Sequence, residues 1–192
     1  MRVKFIFLFL FLFFTTLLFS QITSVLECKY KISVSDKDGI NTTMRTYFIT
    51  NDKIFSFIEN DSSRATLADF INQTVKIKSV NGTIHTFNMC DSRNPMNVKS
   101  EIDSINGFYG DILITNITGD EKISLTLDSS TKIPKFKGDS FLDVFDNGLG
   151  FLPIKGIKEA PSPIESKGNI TWTISLISKK VTSIEANFLK ID

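Results

Sequence analysis

Residues 26 to 34, Leu-Glu-Cys-Lys-Tyr-Lys-Ile-Ser-Val, alternate apolar and polar side chains without an error. Residues 170 to 176, Ile-Thr-Trp-Thr-Ile-Ser-Leu, do the same, with small hydroxyl residues on the odd positions. A helix smears such a period over all its sides. An extended strand sorts it onto two faces, one for a core and one for water. Both stretches therefore predict half-buried strands with the even positions inward, and most of the chain follows the same period.

The punctuation between the alternating runs is turn chemistry. Asp36-Lys37-Asp38-Gly39 follows the first run. Asn51-Asp52 separates two short strands at 44–50 and 54–58, and a fourth is predicted at 66–70. Asn81-Gly82, between the runs 75–78 and 83–87, is the sequence most typical of a tight hairpin. Further strands are predicted at 111–116, 122–127, 170–176 and 181–188, roughly nine or ten in all, and 150–157 is extended. Two stretches depart from the pattern. Val98, Ile102 and Ile105 fall at i, i+4 and i+7, with Lys99, Glu101 and Asp103 between them, which predicts a short amphipathic helix stopped by Asn106-Gly107. Residues 139–146, from Asp139-Ser140 through Phe141, Leu142, Val144 and Phe145, predict a second single-turn helix. Short loops make the sheet antiparallel. Its apolar face must be covered by curling, by a second sheet, or by those helices.

The N-terminus sets the compartment. Phe5 to Phe19 is apolar apart from Thr15 and Thr16, and Arg2 and Lys4 precede it. The run falls short of the ~20 residues that span a membrane. With Ser20-Gln21 behind it, the layout is that of a secretory signal peptide over residues 1–20, leaving one β-rich domain at 21–192. That address is extracytoplasmic, in a periplasm or secreted. There the two cysteines, Cys28 and Cys90, either form one disulfide or serve as buried thiols. Asn41, Asn60, Asn72, Asn81, Asn116 and Asn169 open Asn-X-Ser/Thr triplets, which accept glycans only in a eukaryotic secretory route. Lys and Arg number 22 against 21 Asp and Glu, with no long run of one sign, so no nucleic-acid partner is expected.

Little in the chain supports catalysis. The one histidine, His85, lies on a predicted hairpin strand and is placed outward beside Lys76 or Lys78. Neither a Ser-His-Asp nor a Cys-His set is built from it, and the ligands of a zinc site are lacking. Asp36 to Gly39 starts like a calcium loop without the later acidic ligands. Gly148-Leu-Gly150 lacks the third glycine of a dinucleotide loop. Asp143 with Asp146, and Glu101 with Asp103, are carboxylate pairs of the kind found at solvated loop ends. No enzyme, cofactor or metal is expected.

Two longer stretches carry a family resemblance. Residues 46–87, TYFITNDKIFSFIENDSSRATLADFINQTVKIKSVNGTIHTF, run strand, Asn-Asp turn, strand, then strand and hairpin. Residues 150–191, GFLPIKGIKEAPSPIESKGNITWTISLISKKVTSIEANFLKI, open on Gly-Phe-Leu-Pro, pass a Ser-Lys-Lys-Val step and end near a phenylalanine. Together they resemble the lipoprotein-carrier (LolA-like) half-barrel group, most nearly its small exported bacterial members. The chain departs from the carriers in starting its first strand without a preceding helix. The resemblance implies a strongly curved antiparallel sheet with one or two short helices on its concave face. It also implies a hollow that takes an acyl chain or other hydrophobic ligand. The ligand-binding residues would be the inward apolar set Tyr30, Ile32, Tyr47, Phe55, Phe57, Trp172, Ile174 and Leu176. Membrane contact would be transient. The alternative is an envelope or cell-surface interaction module with a filled core, no ligand and unknown protein partners.

Overall fold

A computed structural model of the chain describes residues 22–89, 97–135, 149–162, 168–185 and 188–191. The expected signal peptide, the expected helix at 139–146 and Cys90 lie outside them. Eleven strands follow in chain order: β1 (Ile22–Asp36), β2 (Gly39–Ile49), β3 (Lys53–Ile58), β4 (Asp61–Asp69), β5 (Thr74–Lys78), β6 (Ile84–Asn88), β7 (Asn97–Ile105), β8 (Phe108–Thr118), β9 (Glu121–Lys132), β10 (Phe151–Pro161) and β11 (Asn169–Glu185). They form one sheet in the order β6-β5-β4-β3-β2-β1-β11-β10-β9-β8-β7. Every neighbouring pair is antiparallel. Two meanders are thus zipped together at the centre by the first and last strands, in register from Ile22↔Glu185 to Ser35↔Thr171.

The sheet is curved and unclosed, and connectivity explains both properties. Eleven strands laid flat at ~4.8 Å put the edges about 48 Å apart. The chain must pass from edge strand β6 to edge strand β7 between Asn88 and Asn97, which at full extension reaches only about 32 Å. The sheet has to bend to bring its edges within that reach. Closure by the same pairing is impossible, because in an antiparallel order of eleven the two edge strands run in the same direction.

One apolar cluster joins side chains from β5 at one side to β8 at the other, so it lies on the inner, concave face. Its buried members include Cys28, Tyr30, Tyr47, Ile54, Val75, Ile114, Leu127, Leu152, Ile174 and Leu176. Gly156 allows β10 to be crossed closely: a Cβ there would stand 2.4 Å from Leu125 Cδ2 and 3.2 Å from Ile174 Cγ1. A second, smaller cluster lies on the convex face. It joins Val25, Phe48, Phe55, Ala65 and Leu67 to Leu189 and Ile191 of the C-terminal tail. Phe188 sets its ring edge-on to Phe48 and Phe55, with centroids 5.2 and 5.5 Å away.

Three expectations are corrected. The helix expected at 98–105 is strand β7, and the described residues contain no α-helix. An irregularity between Ser100 and Asp103 breaks its alternation and imitates helical spacing. Asn106-Gly107, with φ of 51° and 81°, is not a helix stop but the turn of the β7–β8 hairpin. The strands expected at 170–176 and 181–188 are one strand, β11, bent where the register slips opposite Lys29 and Tyr30. His85 is exposed but stands opposite Ile77, not beside Lys76 or Lys78, and stacks on Phe87 at 6.4 Å. The turns at Asp36–Gly39 and Asn51-Asp52 and the hairpin around Asn81-Gly82 all form, the last as a loop from Ser79 to Thr83.

Candidate functional site

The eight residues expected to meet a ligand divide into three groups. Tyr30, Tyr47, Ile174 and Leu176 are buried together on the concave face. The Tyr30 hydroxyl donates to the Pro153 carbonyl at 2.6 Å, and its ring meets Tyr47 edge-on at 5.4 Å. Burial pushes both phenols above their ordinary pKa, while Arg45 partly offsets the rise at Tyr47. Ile32 and Trp172 continue the same face upward but are half-buried, at the rim of the core. Val34 stands opposite Trp172, which puts both on one face. Lys158 Nζ lies 5.9 Å from the Trp172 ring centroid and pairs with Glu121 at 3.0 Å. Phe55 and Phe57 face the other way, into the convex cluster. Strand β3 is apolar on both sides, and its inward central residue is Ser56.

Cys28 has no exposure and is free among the described residues, where it packs as a small apolar side chain of the core; Cys90 lies outside them. Burial raises it to about 12, against the pull of Lys179.

The cover of the concave face comes from the sheet's own edge. The β7–β8 turn folds inward until Asn106 Nδ2 donates to the Leu176 carbonyl on β11 at 2.8 Å. Phe108 and Ile105 of the same hairpin pack on the core. That acceptor is available because β10 pairs with β11 only as far as Ser175, so the sheet splits beyond it. The split is an open groove of about 480 Å³, lined by Ile102, Phe108, Tyr109, Asp111, Asp128 and Lys179 among others. Lys179 closes one side, donating to Asp128 Oδ2 at 2.9 Å. Burial pushes the Asp128 carboxyl up, but hydrogen bonds from Ser130, Thr131 and Lys179, with the lysine charge, outweigh it and bring the group down to about 2. Asp111 is likewise held low by Ser129. These groups are mutually satisfied and have no histidine among them. Among the described residues no cluster of His, Cys, Asp and Glu is suited to a metal.

A polar patch that the alternation did not announce lies on the concave side of β2, β3 and β4. Register sets Tyr47 opposite Ser56 and Ser56 opposite Thr66, so the three form a row on one face. Arg45, two residues before Tyr47, shares that face. Its guanidinium carbon lies 5.8 Å from the Tyr47 ring centroid, and Nη2 donates to Thr66 Oγ1 at 3.1 Å. Nε of Arg45 and Oγ of Ser56 are buried with no hydrogen-bond partner. Each such orphan costs about 1–3 kcal/mol. The sequence signal was a lone charge in phase with Tyr47 and Ile49.

No family model matches the chain, and no curated protein matches its sequence. Among solved structures the chain is similar to PNGF-II in two crystal forms. Identity is 14% and 17%, with TM-scores of 0.56 and 0.55, over 88% and 87% of this chain. The chain spans about a third of PNGF-II, 31% and 29% of its length, and at such identity the likeness is one of fold. It is also similar to a LolA superfamily protein from Nitrosomonas europaea, at 12% identity and a TM-score of 0.43 over 86% of this chain and 90% of that one. A putative outer membrane lipoprotein-sorting protein domain from Vibrio parahaemolyticus gives 11% and 0.39, over 86% and 89%. These last two likenesses are too slight to carry an argument about fold or function.

Proposed function

We propose that this chain is an exported, non-enzymatic protein that binds an acyl chain or another hydrophobic ligand against the concave face of its sheet. One observation carries the reading. The inner apolar face does not stop where the core closes. It continues past Ile174 into a half-buried strip of Ile32, Val34, Ile170 and Trp172 on the inside of a curved sheet, bordered on β10 by Lys158, which stands between Trp172 and Ile123 and is paired with Glu121. Sheltered, half-buried apolar surface is where a hydrophobic ligand gains most from leaving water. The ligand would lie along Ile32 and Trp172, over Ile174, with Tyr30, Tyr47 and Leu176 as its floor. Phe55 and Phe57, on the far face, would take no part.

A second reading, an interaction module without ligand, is favoured by the floor itself. Tyr30, Leu127, Leu152 and Leu176 are at most 1% exposed. Mass spectrometry of gently purified protein separates the two. A co-purifying acyl compound is expected, and a clean apoprotein favours the module. Export is tested by N-terminal sequencing of the protein from its host. A start at Gln21 is expected, and an intact Met1 on membrane-embedded protein overturns it.

A further inference from the structure

We propose that the concave face carries an anion-receiving site made by Arg45, Ser56 and Thr66, and that the ligand's head group is a carboxylate. The proposal rests on the acyl-binding reading and adds the chemistry of the head.

The geometry points there in three ways. First, the row Tyr47–Ser56–Thr66 crosses three adjacent strands on the inner face, and the Arg45 guanidinium reaches along it to Thr66. Second, Arg45 has no carboxylate partner among the described residues, and its Nε is buried without an acceptor. Its other donors reach Thr66 and the Tyr47 hydroxyl, so Nε is the donor left over. Third, Ser56 is wholly buried, and its hydroxyl has no partner. A structural role at that position would suit alanine better than an unsatisfied hydroxyl.

These groups together present the Arg45 Nε–H with its positive charge and two hydroxyls, a donor set that fits a planar carboxylate. One positive charge, with no second cation in the row, matches a single negative charge better than a phosphate dianion. The placement also suits a chain. Trp172 lies level with Val34, and Arg45 level with Tyr30, four residues further along β1 and two strands from β11. Measured over the sheet, that separation is about 17 Å. Ile32 and Ile174 lie between them. A fatty acid with its carboxylate at Arg45 would run its tail over those residues to Trp172.

The test compares palmitate, methyl palmitate and hexadecyl phosphate on the delipidated protein by calorimetry, with Arg45→Gln and Ser56→Ala as variants checked for native folding. Palmitate is expected to bind at least tenfold tighter than its methyl ester. Arg45→Gln should reduce that ratio to below twofold while leaving the ester's affinity unchanged. Ser56→Ala should weaken palmitate severalfold. Equal binding of acid and ester by the unaltered protein would overturn the carboxylate site and leave the acyl-binding reading standing. Tighter binding of hexadecyl phosphate than palmitate would also overturn it, in favour of a phosphate head. Failure of all three probes to bind would overturn both readings.

Discussion

The two faces of this sheet solve the same problem in opposite ways. On the convex side, Phe48, Phe55 and Leu67 are covered by the chain itself, through Phe188, Leu189 and Ile191. That patch is small and apolar, with Phe188 still 45% exposed at its margin. On the concave side the cover given by the described residues is partial. The β7–β8 turn reaches Leu176, but the strip from Ile32 to Trp172 remains half-buried, and Arg45 and Ser56 keep unused hydrogen-bonding groups. A face finished by its own chain has no call on a ligand. The unfinished face is the one that suits one.

The largest effect expected of a single substitution is on the concave floor. Leu176 is fully buried where β1 and β11 meet. Leu176→Ala should cost about 3–5 kcal/mol, read as a lowered urea midpoint. On the convex side, Leu189→Ala should cost about 2–3 kcal/mol, because its cluster is smaller and partly open at Phe188. Equal costs at the two sites would mean that the tail is as integral to the fold as the central strands. A negligible cost at Leu189 would mean that the convex face is open as well.

Which face a residue takes is also where the sequence was and was not legible. Leu26 to Val34 and Ile170 to Leu176 could be placed from alternation alone, because each has polar residues on one side only. Ile54-Phe55-Ser56-Phe57-Ile58 could not. Both sides of that strand are apolar, since the tail covers the convex one, and the single polar residue points inward. Period two is silent when both faces are buried. Strand β7 was hidden for a different reason. Only Asp103 and Ile105 of this edge strand are half-buried, so little of it has a core face to impose alternation, and its irregularity and charges keep other edges from pairing with it. The Asn106-Gly107 hairpin signal was there to be weighed against the helical spacing. The Arg45 patch depends on register across three strands, which no local pattern contains.

Two smaller effects sharpen the contrast at the floor's margins. Asp128 ties β9 to β11 where the sheet splits. Its folded pKa of about 2 lies below the ordinary 3.8, so its contribution is fully present above that value and is lost as pH falls from about 4 through 2. Compared with Asp128→Asn, the unaltered protein should be more stable by on the order of 2 kcal/mol at pH 6, with the gap closing near pH 2. A gap that persists at pH 2 would show that the carboxylate charge is not its source. Cys28, raised to about 12 by burial, should resist alkylation at pH 8 in the native protein and react fully once unfolded without reductant. Prompt native labelling would mean that the floor opens. Protection that survives unfolding would mean that the thiol is oxidised.

The central claim is that the unfinished face binds an acyl chain, and Trp172 is the chain's only tryptophan. Titrating delipidated protein with palmitate while following tryptophan emission tests it most directly. The account predicts a saturable change as the chain settles against a half-buried indole. Unchanged emission, with no palmitate retained on equilibrium dialysis, would contradict it and leave the filled-core module in its place.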